Sequence, residues 1–414
     1  MSCDCFSDQQ FLSVEQAIFH ILENIQTVED TELVPLDSAL DRILATEVIS
    51  PIQVPPHDNS AMDGYAVNFA SLTNNKTVSL VGKSMAGAPF VGECLLGQCV
   101  RIMTGAVVPE GCDTVVMQEH CQVEGDTISF LQEIRQGQNI RRAGEDISQN
   151  QIILSKGKRL SAIDIALLAS VGIESLSVYR KIKVALIATG DELKSPGQSL
   201  TAGDIYESNG HFLKHMLAKI NADVLDYGII ADDFEQIKQA FHHADQHADV
   251  VISSGGVSVG DADYTKMVLD SIGKIGFWKI SMKPGKPLAF GLLPNSVFFG
   301  LPGNPVSAAV TFYQIAMHGL AKIAGATPIE RTRFIAKTQT DLKKAPGRTD
   351  FQRGYYNVNQ AGEISVVSTG VQGSGVLSSI GRANCFIVLA KDQGSVSAGE
   401  SVVIEPFDAL LGGS

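Results

Sequence analysis

Apolar positions three and four apart run along residues 13–26, placing Val14, Ala17, Ile18, Ile21, Leu22 and Ile25 on one face of a helix. Ser13, with Gln16 three residues on, opens that helix as a capping box. A second helical pattern covers 36–45 and ends near residue 47, where an extended stretch meets Pro51, Pro55 and Pro56. Proline lacks the N–H and the freedom in φ that a helix interior needs. From 47 to 139 the pattern changes to short β-type runs (66–67, 78–81, 100–103, 114–117 and 127–131) punctuated by Gly and Pro. Helical spacing returns over 161–170, with Ser161 and Asp164 in capping positions and Gly172 past the end. The β-rich part therefore reads as an insertion into a helical linker unit made of two chain segments.

Over 182–325 apolar strand-like runs (KVALIATG, VLDYGII, DVVISSGG) alternate with helical patterns at about 210–220, 234–245 and 264–272, and a long helix starts at Pro305. Fully apolar strands alternating with helices predict a parallel sheet covered on both faces, with ligands at the carboxyl ends of its strands. Beyond 327 only β-type runs follow (334–337, 364–368, 385–389, 401–404), which predict a small barrel or sandwich. The expected fold class is multidomain α/β plus β. Its segments are linker 1–46, inserted β-rich domain 47–139, linker 140–178, three-layer α/β domain 179–326 and terminal β domain 327–414.

The net charge of −13 argues against nucleic-acid and anionic-membrane surfaces, because no basic stripe offsets it. Neither a signal-peptide pattern nor a run of 18 apolar residues is present in this sequence, which predicts a cytoplasmic protein. Seven scattered cysteines (3, 5, 94, 99, 112, 121, 385) fit a reducing compartment better than a disulfide framework, and their spacing is not that of a zinc site. His242, His243 and His247 read as an exposed helix face.

Candidate chemistry gathers in three loops that follow strand-like runs: SSGGVSVGDADYTK (253–266), KISMKPGKPLAFG (279–291) and GLPGNPVSA (300–308). Gly255 and Gly256 after Ser253 permit a tight turn and close ligand approach, with Ser258 in the same loop. Neither a GK[ST] ending nor a GxGxxG follows a strand, which disfavours P-loop hydrolysis and dinucleotide binding. Lys279, Lys283 and Lys286 flank a Pro-Gly turn and can neutralise a tetrahedral oxyanion. In GLPGNPVSA, Pro305 suits the first turn of a helix and Gly303 and Asn304 can present N–H groups to an anion, although by itself this is equally a plain helix start. Acids follow three strands: Asp191 with Glu192, Asp232 with Asp233, and Asp261 with Asp263. One such pair is ordinarily a helix cap, but convergence at one sheet edge suits Mg²⁺ bridging phosphates.

Taken together, DNSAMDGYAV, RIMTGA, VPEGCDTVVMQE, RRAGEDI, ATGDEL, SSGGVSVGDADYTK, MKPGKP, GLPGNPVSA and PGRTDFQRG resemble the molybdopterin molybdenumtransferase family, related to the E domain of gephyrin. The resemblance covers almost the whole chain. It implies a homodimer of four-domain subunits, with a discontinuous linker domain, an inserted β domain, a molybdopterin-binding α/β domain and a C-terminal β barrel. It also implies Mg²⁺-assisted insertion of molybdate into the dithiolene of adenylylated molybdopterin, with release of AMP. By motif it assigns Asp63, Thr104, Asp146, Glu192, Asp232, Asp263, Lys279 and Lys283 to catalysis, with Glu192 and Asp263 handling metal or phosphate. Asp63, Asp146 and Thr104 would complete the cleft from the partner subunit. Ser253, Gly255, Gly256, Ser258, Pro302, Gly303, Asn304 and Pro305 would cradle pterin and phosphate, and Lys283, Lys286, Arg353 and Ser374 would receive molybdate. Docking of other proteins of the cofactor pathway is a further expectation. The competing readings are a molybdopterin adenylyltransferase and a gephyrin-like scaffold that binds proteins without catalysis.

Overall fold

The computed structural model describes residues 11–72, 77–255, 264–408 and 411. Its centre is a seven-stranded sheet in the order Phe11–Leu12, Lys274–Ile280, Pro287–Leu292, Val297–Leu301, Val250–Ser254, Lys183–Thr189, Asp223–Ile230. Neighbours run parallel except around Pro287–Leu292, which is antiparallel to both strands beside it. Helices cover both faces, as the unbroken apolar strands require. One face packs against helices Val14–Asn24 and Asn209–Lys219 and a long helix over 305–323, whose middle turn, Phe312–Ala316, is π-helical. Phe234–His247 and Tyr264–Ile272 cover the other face.

The first helix forms as its pattern predicts. Ser13 Oγ accepts from the Gln16 N–H at 3.2 Å, and the Gln16 side chain accepts from the Ser13 N–H at 2.8 Å. Ala17, Ile21 and Ile25 of its apolar stripe lie in the α/β core; full burial of one such isoleucine contributes roughly 1.5–3 kcal/mol. Residues 11–25, grouped by sequence with the linker, thus pack with the α/β layers.

The linker unit does join two segments. Thr31–Pro35 pairs with Ser175–Tyr179, Val48–Ile49 pairs with Ile152–Leu154, and helix Ala162–Ser170 covers the small core around Leu44, Leu160 and Leu168. The helix expected over 36–45 is a single 3₁₀ turn, Leu36–Ser38. Asp41 takes a left-handed φ of 62°, and the N–H groups of Asp41 and Leu44 are drawn to Leu160 and Lys158 of the second segment. Cross-segment pairing overrides a local preference of this size. Arg180 ties this unit to the sheet: it reaches Asp30 at 3.0 Å and grips Asp249 with two bonds of 2.7 Å. These bonds, with the Lys183 N–H, outweigh the cost of burial and hold the Asp249 carboxyl below its usual range. The stability that this carboxylate contributes is therefore present above its unfolded pKa of 3.8 and is lost as pH falls through the lower folded value.

The inserted domain is a six-stranded sheet, ordered Thr114–Met117, Gly64–Val67, Gln98–Ile102, Thr77–Ser84, Thr127–Phe130, Cys121–Glu124. At the C-terminus, Thr349–Val358 pairs on one side with Ile364–Ser368 and on the other with Cys385–Leu389. Ser401–Pro406 and Phe334–Thr338 close the circuit into a barrel, which resolves the choice between barrel and sandwich. Met282–Lys283 of the lysine loop adds to the barrel by pairing with Thr349 and Asp350. Among the described residues no helix is long and apolar enough to cross a membrane.

Candidate active site

The strands Lys183–Thr189, Val250–Ser254 and Val297–Leu301 are parallel neighbours, so their carboxyl ends release three loops at one edge. A cleft of about 530 Å³ opens there. Its lining includes Glu192, Gly255, Gly303, Asn304 and Pro305 of the residues expected from sequence. Gly255 is required by geometry: φ is +92°, and a Cβ would lie 2.9 Å from the Thr189 carbonyl oxygen. Pro305 occupies the first turn of its helix, where a missing N–H costs nothing. Pro302 is buried, and Ser253 is buried at the next-to-last position of its strand with no hydrogen-bond partner for Oγ among the described residues. The barrel closes one side: the Ser374 carbonyl accepts from the Val306 N–H at 3.0 Å, and Gly375 reaches the cleft wall.

Two residues that sequence reasoning passed over belong to this wall. Glu207 lines the cleft and accepts from the Gly210 N–H at 2.6 Å. Asn209, only 9% exposed, donates from Nδ2 to Ser254 Oγ and to the Gly303 carbonyl, both at 2.8 Å, and so ties two of the three loops together. The signal for them was slight: a polar ESNG before a helical pattern reads as an ordinary helix start. Asn209→Ala leaves buried Ser254 and Gly303 without that donor and is expected to cost about 1–3 kcal/mol. A lower urea midpoint would show it, and an unchanged midpoint would remove Asn209 as the tie.

The cleft wall is acidic. Among its described lining residues are Glu192 and Glu207, and neither Lys nor Arg. An anion enters such a cleft only with a cation, and oxygen donors of this kind suit a hard divalent ion. Among the described residues, however, no group of three His, Cys, Asp or Glu already converges on a metal position. Asp263, Gly256 and Ser258 lie outside the described residues. Asp232 does not line the cleft; its N–H donates to Asp191 Oδ1 at 3.1 Å, while Asp233 caps the next helix by accepting from the Gln236 N–H.

None of the three lysines lines the cleft. Lys283 lies 3.6 Å from the buried carboxylate of Asp350 in the barrel. Lys279 and Lys286 both place Nζ 5.8 Å from the ring centroid of Phe11 on the edge strand. Arg353 departs from expectation. It is 0% exposed, and its guanidinium donates to Ser379 Oγ at 3.0 Å and to the Phe351 and Gly373 carbonyls at 3.3 Å. Burial pushes its pKa down to about 10. Arg353 thus braces the segment that carries Ser374 and Gly375.

Asp63 and Thr104 meet elsewhere, on the inserted domain, and Asp146 lies in the linker segment that follows it. Gly64 lets its strand approach so closely that a Cβ would fall 1.9 Å from the Val116 carbonyl oxygen, and this seats Asp63 at the sheet rim. Asp63 Oδ1 accepts from the Thr104 N–H at 2.7 Å and from its hydroxyl at 2.9 Å. The Thr104 N–H, then its hydroxyl and the Arg101 charge, hold the Asp63 carboxyl below its usual range. The adjoining Gly105 lines a second cleft, about 450 Å³, with Pro55, Arg141, Glu145 and Asp146. No residue lines both this cleft and the one at the sheet edge.

The sheet-edge cleft and its glycine turns place the central domain in a recognisable class, for residues 185–322 match the model of the probable molybdopterin binding domain. Residues 12–172 and 336–407 match the N-terminal region (domains I and II) and the C-terminal region (domain IV) of MoeA. The chain belongs to the molybdopterin molybdenumtransferase family, transferases of molybdenum cofactor biosynthesis. It is 48% identical to the molybdopterin molybdenumtransferase of Haemophilus influenzae, over 97% of this chain and 100% of that one. Gephyrin of Dictyostelium discoideum is 31% identical over 96% of this chain and 62% of its own length. The crystal structure of a molybdopterin biosynthesis moeA protein from Pyrococcus horikoshii matches with a TM-score of 0.83 and 31% identity, covering 96% of this chain and all of that one.

Proposed function

We propose that this chain inserts molybdate into the dithiolene of adenylylated molybdopterin and releases AMP. The observation that carries the reading is the acidic, glycine-floored cleft at the carboxyl ends of three parallel strands, in a chain that matches the family from residue 12 to 407. The Gly255 turn and the Pro305 helix start cradle the phosphates of the adenylylated pterin. Glu192 would hold Mg²⁺, with Asp263 as its expected second carboxylate, and the bound ion would supply charge neutralisation and polarisation at the phosphoanhydride. Lys283 and Lys286 receive molybdate, a dianion that calls for donors rather than carboxylates. Asp63, Thr104 and Asp146 face the cleft from a second subunit of a homodimer, because within one chain none of them lines it: Asp146 lines a separate cleft, and Asp63 and Thr104 adjoin Gly105 of that cleft's lining. Such a protein works in the cytoplasm, alongside the enzymes that make its pterin substrate and use its product.

Incubation of the purified chain with adenylylated molybdopterin, Mg²⁺ and molybdate is expected to release AMP in step with loss of the substrate. Failure of release, with adenylylation of molybdopterin from ATP instead, would overturn the reading in favour of the preceding step.

A further inference from the structure

The sheet-edge cleft meets an anionic substrate with Glu192 and Glu207 and with neither Lys nor Arg among its described lining residues. A cation outside any ion pair stands instead at the rim of the inserted domain, where Asp63 and Thr104 meet. Arg101 lies on the strand Gln98–Ile102 in register with Tyr65, and its guanidinium sits 5.0 Å from the centroid of that buried ring. Nη1 donates to the Gly64 carbonyl at 3.3 Å, and Nη2 donates to Oε1 of Gln118. Both acceptors adjoin Asp63: Gly64 follows it in sequence, and the Gln118 N–H donates to the Asp63 carbonyl at 3.1 Å. The head of Arg101 is therefore fixed beside Asp63, near enough for its charge to help hold that acid below its usual range.

We propose that Arg101 is a substrate-binding residue that one subunit lends to the other, its guanidinium meeting the phosphate oxygens of the adenylyl group in the partner's sheet-edge cleft. This placement, which rests on the reading that Asp63 and Thr104 face the cleft of a second subunit, supplies the fixed positive charge that the acidic wall lacks. The two acceptors at Gly64 and Gln118 use only part of the fork, because an arginine carries more N–H groups than these bonds take. Its remaining donors suit phosphate, whose oxygens match a planar guanidinium. None of the ion pairs among the described residues includes Arg101, so its charge is not already matched. Lys83, exposed on the strand Thr77–Ser84, is the cross-strand neighbour of Arg101 on its other side. Like charges in such a register repel, and an anion held against them relieves the repulsion. Tyr65 and the two bonds hold the guanidinium in place before the substrate arrives, so little ordering is left for the moment of binding.

The test is calorimetric titration of the full chain with AMP, with adenosine as the control that lacks the phosphate. Arg101→Gln is expected to weaken AMP binding at least about tenfold, the loss typical of a charge-assisted bond to phosphate, and to leave adenosine unchanged. Arg101→Lys keeps a cation beside Tyr65 and so guards against a folding defect; without the planar fork it should weaken AMP binding about three- to tenfold. A purely structural brace would lower the urea midpoint and affect AMP and adenosine alike. In AMP release, Arg101→Gln refolded with Glu192→Gln should recover activity, and refolded with Asp63→Asn it should not. AMP affinity within about twofold of the wild type in both Arg101 variants would overturn the inference, as would equal loss of AMP and adenosine or the absence of AMP binding by the wild type. If Asp63→Asn refolded with Glu192→Gln recovers activity while Arg101→Gln binds AMP as the wild type does, the role of Arg101 alone falls. If that mixture stays inactive, the shared cleft falls and Arg101 with it.

Discussion

Glu192→Gln is expected to lower the rate of AMP release by about 10²–10³-fold, the loss typical when one group that stabilises transition-state charge is removed. The substitution keeps the volume and the hydrogen-bonding reach of the side chain and deletes its charge. Glu192 is the third residue after the strand Lys183–Thr189, lines the cleft with Gly255 and Asn304, and is exposed, so no packing depends on it. The wall otherwise offers the substrate Glu207 and neither Lys nor Arg among its described lining residues. Without the Glu192 charge the cation that escorts the phosphates is held more weakly, and raising Mg²⁺ should recover part of the rate. Single-turnover measurement of AMP checks this. A rate within about threefold of the wild type, at low Mg²⁺ as well as high, would show that the charge is not used in the way catalytic electrostatics require.

Arg353→Ala is expected to destabilise the chain by about 3–5 kcal/mol, from a cavity and from buried oxygens left without a donor. Its guanidinium supports the carbonyls of Phe351 and Gly373 and the hydroxyl of Ser379, all within or against the barrel. Loss of the brace also frees the segment whose Ser374 carbonyl accepts from Val306, at the start of the Pro305 helix. Arg353→Lys keeps the charge but lacks the planar fork, so it should recover little. Urea unfolding followed by circular dichroism measures the loss. A variant that is as stable as the wild type yet fails to bind molybdate in direct titration would return Arg353 to the ligand.

The distinction between these two residues shows what the sequence makes legible. Strand ends, glycine turns and Pro305 announce themselves by periodicity and by the conformations only those residues accept, so Glu192, Gly255, Gly303 and Asn304 are found where the pattern puts them. Whether a charged side chain turns in or out of a barrel strand is harder to read. Arg353 shares strand parity with Phe351, and both are buried, which the sequence motif PGRTDFQRG alone does not reveal. The failed helix over 36–45 has a different cause. Its backbone groups find partners about 120 residues further along the chain, at Lys158 and Leu160, and local propensity carries no information about them. Asn209 escaped notice for a similar reason, since its importance lies in joining Ser254 to Gly303, two loops that meet only in the folded sheet.

The separation of the two clefts within one chain is the feature on which the functional account turns. If a second subunit supplies Asp63 to the cleft that holds Glu192, then Asp63→Asn and Glu192→Gln impair opposite halves of one shared site. Each variant alone should release AMP slowly. Unfolding and refolding the two together in equal amounts should then restore about one quarter of the wild-type rate, because half the pairs are mixed and each mixed pair of a two-fold dimer holds one intact site. A mixture no faster than the average of the two separate variants would contradict a site built between subunits.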